Sequence, residues 1–157
     1  MGSDSDWPKI KGASVALTEL GIEHEVRVMS AHRTPELVAE YATTAISKGM
    51  KVIIAAAGGA AHLAGVVASH TVLPVIGIPV ATEFCGGLDS LLSVVQMPGD
   101  IPVATVGLGS GGARNAGILA AEILALSDSQ LHDNLLKFRE SLVAKIVEKN
   151  DKLQKEL

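Results

Sequence analysis

From Trp7 to Leu20, apolar residues fall at Trp7, Ile10, Ala13, Leu17 and Leu20. This is the three-to-four spacing of one helix face, and Gly21 stops it. Ile22 to Met29 reads IEHEVRVM and alternates late, at Val26 and Val28, which predicts a strand. Thr34-Pro35-Glu36 opens a second helix, with Thr as cap, Pro in the first turn and Glu behind it; this helix runs to Lys48 before Gly49. Lys51 to Ala56 is an apolar run that predicts a buried strand. Gly58-Gly59 breaks it, and a helix follows to about His70. The same alternation gives a strand over Leu73–Ile78, a short helix over Leu88–Val95, a strand over Pro102–Gly107 and a helix over Ala113–Ala125. A long amphipathic helix over 131–152 places Leu131, Leu135, Phe138, Leu142, Ile146 and Val147 on one stripe.

Alternating helices and continuously apolar strands predict an α/β domain, a parallel sheet covered on both faces. The expected arrangement is a flavodoxin-like, doubly wound, three-layer fold in a single domain spanning 1–157. Its long C-terminal helix, about 128–152, is expected to pack on a neighbouring subunit. In such sheets ligands bind beyond the carboxyl ends of the strands, so the βα loops are the places to search.

Composition narrows the function. The chain has 157 residues, 48% of them hydrophobic but only 3% aromatic. Few stacking platforms, a net charge of -4 and no Lys/Arg cluster argue against nucleic-acid binding. A single cysteine, Cys85, excludes an intrachain disulfide framework and a Cys-rich zinc site. No run of ~20 apolar residues predicts a membrane span, and the expected location is the cytoplasm. His24, His70 and His132 lack ligand spacing, so no metal is expected.

Four loops can carry chemistry. Gly2-Ser3-Asp4-Ser5-Asp6 offers backbone amides and the hydroxyls of Ser3 and Ser5 to an anion. Asp6 can accept from a sugar hydroxyl or cap the helix. Ser30-Ala31-His32-Arg33-Thr34-Pro35 pairs a phosphate-fitting Arg33 with His32, which titrates near neutral pH; surface ion pairing of Arg33 and a backbone-satisfied His32 is the plainer reading. Gly58 and Gly59 allow close backbone approach or tight packing, and His62 faces a ligand or starts a helix. Gly107-Leu108-Gly109-Ser110-Gly111-Gly112 is glycine-rich, but it follows the last strand and lacks the downstream acidic residue of a dinucleotide site. Closure of a mobile loop over a small ligand fits it better. Cys85 has no local base and reads as an incidental thiol.

Taken in order, GSDSDW, SAHRTPE, AGGAAHL, Gly87-Leu88-Asp89-Ser90-Leu91 and Gln96-Met97-Pro98 with Ile101-Pro102-Val103 resemble the 5-(carboxyamino)imidazole ribonucleotide mutases of purine biosynthesis. The resemblance runs from Met1 to about Leu126. The related carboxylases, which use free carbon dioxide, usually lack the GGAAH stretch. Membership implies a ribonucleotide substrate and no cofactor. It implies that Ser3, Ser5, Ser30 and Arg33 hold the phosphate and its surroundings, that Asp6 holds the ribose, and that His32 carries the proton. Gly58, Gly59, His62 and Leu63 would shape the pocket around the imidazole. It also implies a homo-octamer. Direct carboxylation of aminoimidazole ribonucleotide, or a non-catalytic nucleotide- or flavin-binding module, are the alternatives.

This chain departs from the family pattern at Ala64, where Pro is usual, at Ala56, where Gly is common, and at Ser110, where Lys is frequent. The family also carries an apolar strand before the first loop, at the centre of the sheet. Its absence here points to a start codon placed too late or a lost beginning. It predicts unpaired edges where the second and third strands should face each other.

Overall fold

The computed structural model describes all 157 residues, Met1 to Leu157. A 3-10 turn at Asp4–Asp6 leads into α1 (Trp7–Ile10) and α2 (Gly12–Glu19). There follow α3 (Pro35–Thr44), β1 (Ile53–Gly58), α4 (Leu63–Ser69) and β2 (Val75–Val80). A 3-10 turn at Phe84–Gly87, α5 (Leu88–Val95), β3 (Ala104–Thr105), α6 (Gly109–Ala125) and α7 (Ser129–Gln154) complete the chain. The three strands form one parallel sheet in the order β1-β2-β3. β1 and β2 pair from Ile53 opposite Val75 to Gly58 opposite Val80.

Side-chain alternation splits the core into two faces. Ile53, Ala55 and Val75 face α3, α4 and α5, where they meet Val38, Val67 and Val94. Ala56, Ile76 and Ile78 face α1, α2 and α6. The result is three layers, as expected for an α/β fold. Ala13 and Ala16 of α2 and Ala113, Ala116 and Ala120 of α6 are all buried. Side chains this small let the two helices lie close, which accounts for the wealth of Ala.

Close approach also decides Gly77, in the middle of β2. A Cβ there would run into Cγ1 of Val94 and come within 2.8 Å of Cγ1 of Val103. Only glycine lets α5 settle onto the strand.

Several sequence expectations need correcting. The first helix breaks at Lys11 into α1 and α2. Ile22–Met29 is extended but joins no ladder. It is tied instead to the first two residues: Met29 N donates to Met1 O (2.9 Å), the Met1 ammonium donates to Arg27 O (2.9 Å), and Gly2 N donates to Ala56 O (3.2 Å). Between this segment and β1 lies a cavity of about 520 Å³, lined among others by Met1, Ile22, Val26, Val52 and Ile54. A strand needs a partner for its amides and carbonyls, and along most of Ile22–Met29 none is there. The glycine-rich segment is not a mobile loop, because Gly109–Gly112 form the first turn of α6. β3 is two residues long rather than six.

α7 docks through its beginning. Leu131 and Leu135 are buried against Leu20 and Ala121, with Phe138 partly covered. Farther on, Leu142, Val143, Ile146, Val147 and Leu153 are exposed. No helix is long and apolar enough to cross a membrane.

Candidate active site

Three segments converge at the carboxyl end of β1. The first is the opening loop. The Ser3 and Ser5 hydroxyls are 2.7 Å apart, and Ser5 N donates to Ser3 Oγ (3.3 Å) and to Asp4 Oδ1 (3.0 Å). Ser3, not Asp6, therefore caps the first turn, and Asp6 makes no cap bond. Burial holds the Met1 ammonium below its ordinary pKa, and the Asp6 carboxylate only partly offsets this. Because α1 is a single turn, its dipole adds little to anion binding.

The second segment is the turn before α3. Arg33 Nη2 donates to Gly2 O (2.8 Å) and its Nε donates to Ser30 Oγ (3.3 Å). These bonds hold the guanidinium against the opening loop and leave Nη1 without a hydrogen-bond partner. Thr34 makes no cap bond; its hydroxyl accepts from Ser30 N (2.9 Å) and donates to Ser30 O (3.1 Å), closing the turn that carries His32 and Arg33.

The third segment is the turn from β1 to α4. Gly59 takes φ +68°, in the region that favours glycine, and Ala61 N donates to Gly58 O (3.2 Å). This turn aims His62 at His32. His32 Nε2 and His62 Nδ1 are 2.8 Å apart, and the rings meet edge to face at 4.9 Å between centroids. When one of these nitrogens carries a proton and the other does not, the two imidazoles share a hydrogen bond, and the tautomers decide which ring donates.

His32, Arg33 and His62 are all exposed, and none of them lines the cavity described above. Leu63 is buried among Val38, Val67 and neighbouring core residues, so its side chain does not face the site. No three His, Cys, Asp or Glu side chains cluster as a ligand set. Cys85 is exposed, at φ +48° in the 3-10 turn after β2, and makes no hydrogen bond to a His. Ser90, visible in the sequence only as part of the Gly87-to-Leu91 stretch and given no role there, is the one fully buried polar side chain.

A family model described as AIR carboxylase matches residues 1–145. The chain belongs to the AIR carboxylase family. The N5-carboxyaminoimidazole ribonucleotide mutase of Bacillus subtilis (strain 168) is 53% identical over 153 residues, which cover 98% of this chain and 94% of that protein. The protein of the same name from Pyrococcus abyssi (strain GE5 / Orsay) is 54% identical over 142 residues, covering 90% of this chain and 80% of its own. In three dimensions, the crystal structure of Treponema denticola PurE superposes with a TM-score of 0.87 at 32% identity, covering 98% of this chain and 94% of that one. The family match takes in all three converging segments, and with them the paired histidines.

Proposed function

We propose that this chain is an isomerase of purine biosynthesis. It moves the carboxylate of 5-(carboxyamino)imidazole ribonucleotide from nitrogen to ring carbon, giving 4-carboxy-5-aminoimidazole ribonucleotide. The observation that carries this reading is the His32–His62 pair at the carboxyl end of β1, beside an Arg33 already held to the opening loop. Mutase relatives more than 50% identical support the same reaction.

The phosphate sits on Ser3, Ser5 and Arg33, where two hydroxyls and a free guanidinium nitrogen converge. Asp6, without a side-chain cap bond, takes the ribose hydroxyls. With the sugar-phosphate anchored, the imidazole reaches the Gly58-Gly59 turn and the histidine pair.

Cationic His32 gives its proton to the carbamate nitrogen. The C–N bond then breaks, its electron pair stays on nitrogen, and carbon dioxide leaves. The aminoimidazole so formed is an electron-rich enamine whose ring carbon attacks the trapped carbon dioxide, a step governed by proximity. The ring carbon's proton passes back to neutral His32, which restores the starting charge. His62 holds the His32 ring in place between these transfers.

Retaining carbon dioxide requires a dry site, yet His32 and His62 are exposed on the single chain. The enzyme works as a homo-oligomer, the octamer that the family resemblance implies, in the cytoplasm. The exposed apolar residues of α7, together with Phe84, Leu88, Leu92 and Val95 around α5, support burial against further copies.

The test is absorbance-monitored conversion of the carbamate substrate by the native chain and by His32→Asn. The variant is expected to be at least ~100-fold slower, the usual worth of a positioned proton carrier. Comparable rates would remove His32 from its role. Bicarbonate dependence with aminoimidazole ribonucleotide separates this reaction from direct carboxylation.

A further inference from the structure

The ladder between β1 and β2 ends at Gly58 opposite Val80. One step beyond, the next rung is not a direct bond. The Ser90 hydroxyl stands in it, accepting from Gly59 N (2.9 Å) and donating to Val80 O (2.7 Å). Ser90 belongs to the first turn of α5 and is 0% exposed. Its neighbour Asp89 accepts from Thr82 Oγ1, with both carboxylate oxygens 3.0 Å away, so the start of α5 grips the exits of both strands.

We propose that Ser90 is a positioning residue for the histidine pair, an inference that rests on the function proposed above. The hydroxyl acts as a spacer of fixed length. It holds the Gly59 amide one oxygen away from Val80, and His62 hangs from that turn three residues later. Without the hydroxyl, Gly59 N and Val80 O either lose their partner in a largely buried spot or draw together to bond directly. Either change shifts the Gly58–Ala61 turn and takes His62 out of register with His32. The proposed phosphate-binding groups stand on other segments: Arg33 donates to Ser30 and to Gly2 O, and the hydroxyls of Ser3 and Ser5 are bonded to each other. Because the phosphate anchors lie elsewhere and a small misplacement of reacting groups costs rate steeply, the defect is expected far more in turnover than in substrate capture.

Ser90→Thr and Ser90→Val have nearly the same shape and crowd the site alike, but only the first keeps the hydroxyl. Steady-state kinetics on the intact enzyme should show kcat for Ser90→Val about tenfold or more below that for Ser90→Thr, with KM for the ribonucleotide changed far less. Ser90→Ala, which adds no bulk, is expected to follow Ser90→Val. Imidazole nitrogen NMR should show the ring-to-ring hydrogen bond in the native chain and Ser90→Thr and lose it in Ser90→Ala. A merely structural role would lower thermal stability without breaking that bond or separating kcat from KM. A slow His32→Asn chain alongside equal kcat for Ser90→Thr and Ser90→Val overturns this inference alone. A native rate in His32→Asn overturns it together with the function on which it rests.

Discussion

Gly77→Ala tests how α5 is seated. The added methyl would run into Cγ1 of Val94, lie 2.8 Å from Cγ1 of Val103 and touch Ala64 Cβ at 3.4 Å. Ordinary carbon contacts need roughly 3.5–4 Å, so Val94 must recede by more than an ångström. Val94 is 2% exposed and has no open space to retreat into. Overpacking of this kind costs about 1–3 kcal/mol. Replacing Gly by Ala returns about 0.4–1 kcal/mol by restricting the unfolded chain. The midpoints leave a net loss of about 1.3 kcal/mol, and at roughly 2–4 °C per kcal/mol for a chain of this size the melting temperature should fall by about 3–5 °C. Scanning calorimetry measures this directly. Val94→Ala in the same chain removes the obstructing methyls, so the double variant should lose less than the sum of the two single losses. An unchanged or higher melting temperature for Gly77→Ala, or strict additivity, would refute the account. Val94 and Ser90 lie four residues apart on one face of α5, so Gly77→Ala should also slow turnover.

Arg33→Ala should raise KM for the phosphorylated substrate about 10- to 100-fold while leaving kcat nearly intact, since a charge-assisted bond is worth about 1.5–3 kcal/mol; steady-state kinetics with unchanged affinity would contradict the phosphate assignment. Burial, and then the charge of Glu25, push the Tyr41 phenol from its ordinary 10.0 up to about 12. Because the folded pKa is the higher one, this contribution to stability is complete below pH 10 and is lost as pH rises toward 12. Tyr41→Phe should flatten that alkaline decline in denaturant titrations, and an identical decline in both chains would count against it.

How much of this was legible in the sequence varies by element. α5 falls on Leu88–Val95 as its periodicity predicts, with Gly87 in the left-handed conformation just before it. β1 and β2 appear where continuous apolar runs predict them, displaced by two residues, because such runs mark burial better than ends. Ile22–Met29 has the alternation of a strand and forms none, since alternation cannot supply the neighbouring backbone a strand must bond. His32 and His62 were each visible as loop histidines with a plain structural alternative. Their 2.8 Å contact joins residues 30 positions apart and is a property of the fold alone. Ser90 stood inside the Gly87-to-Leu91 stretch that carries the resemblance, but nothing in the sequence marked its role, because its bonds to Gly59 and Val80 depend on where two strands end.

Gly2 occupies an unusual crossroads. Its amide is fastened to the middle of the molecule at Ala56, its carbonyl to the Arg33 side chain, and the residue before it to Arg27 and Met29. An anion that engages Ser3 and Arg33 together pulls on both ends of that seam. On the proposed reading, a ribonucleotide held there would brace this flank while it is being transformed, so catalytic occupancy and mechanical integrity would share the same few bonds.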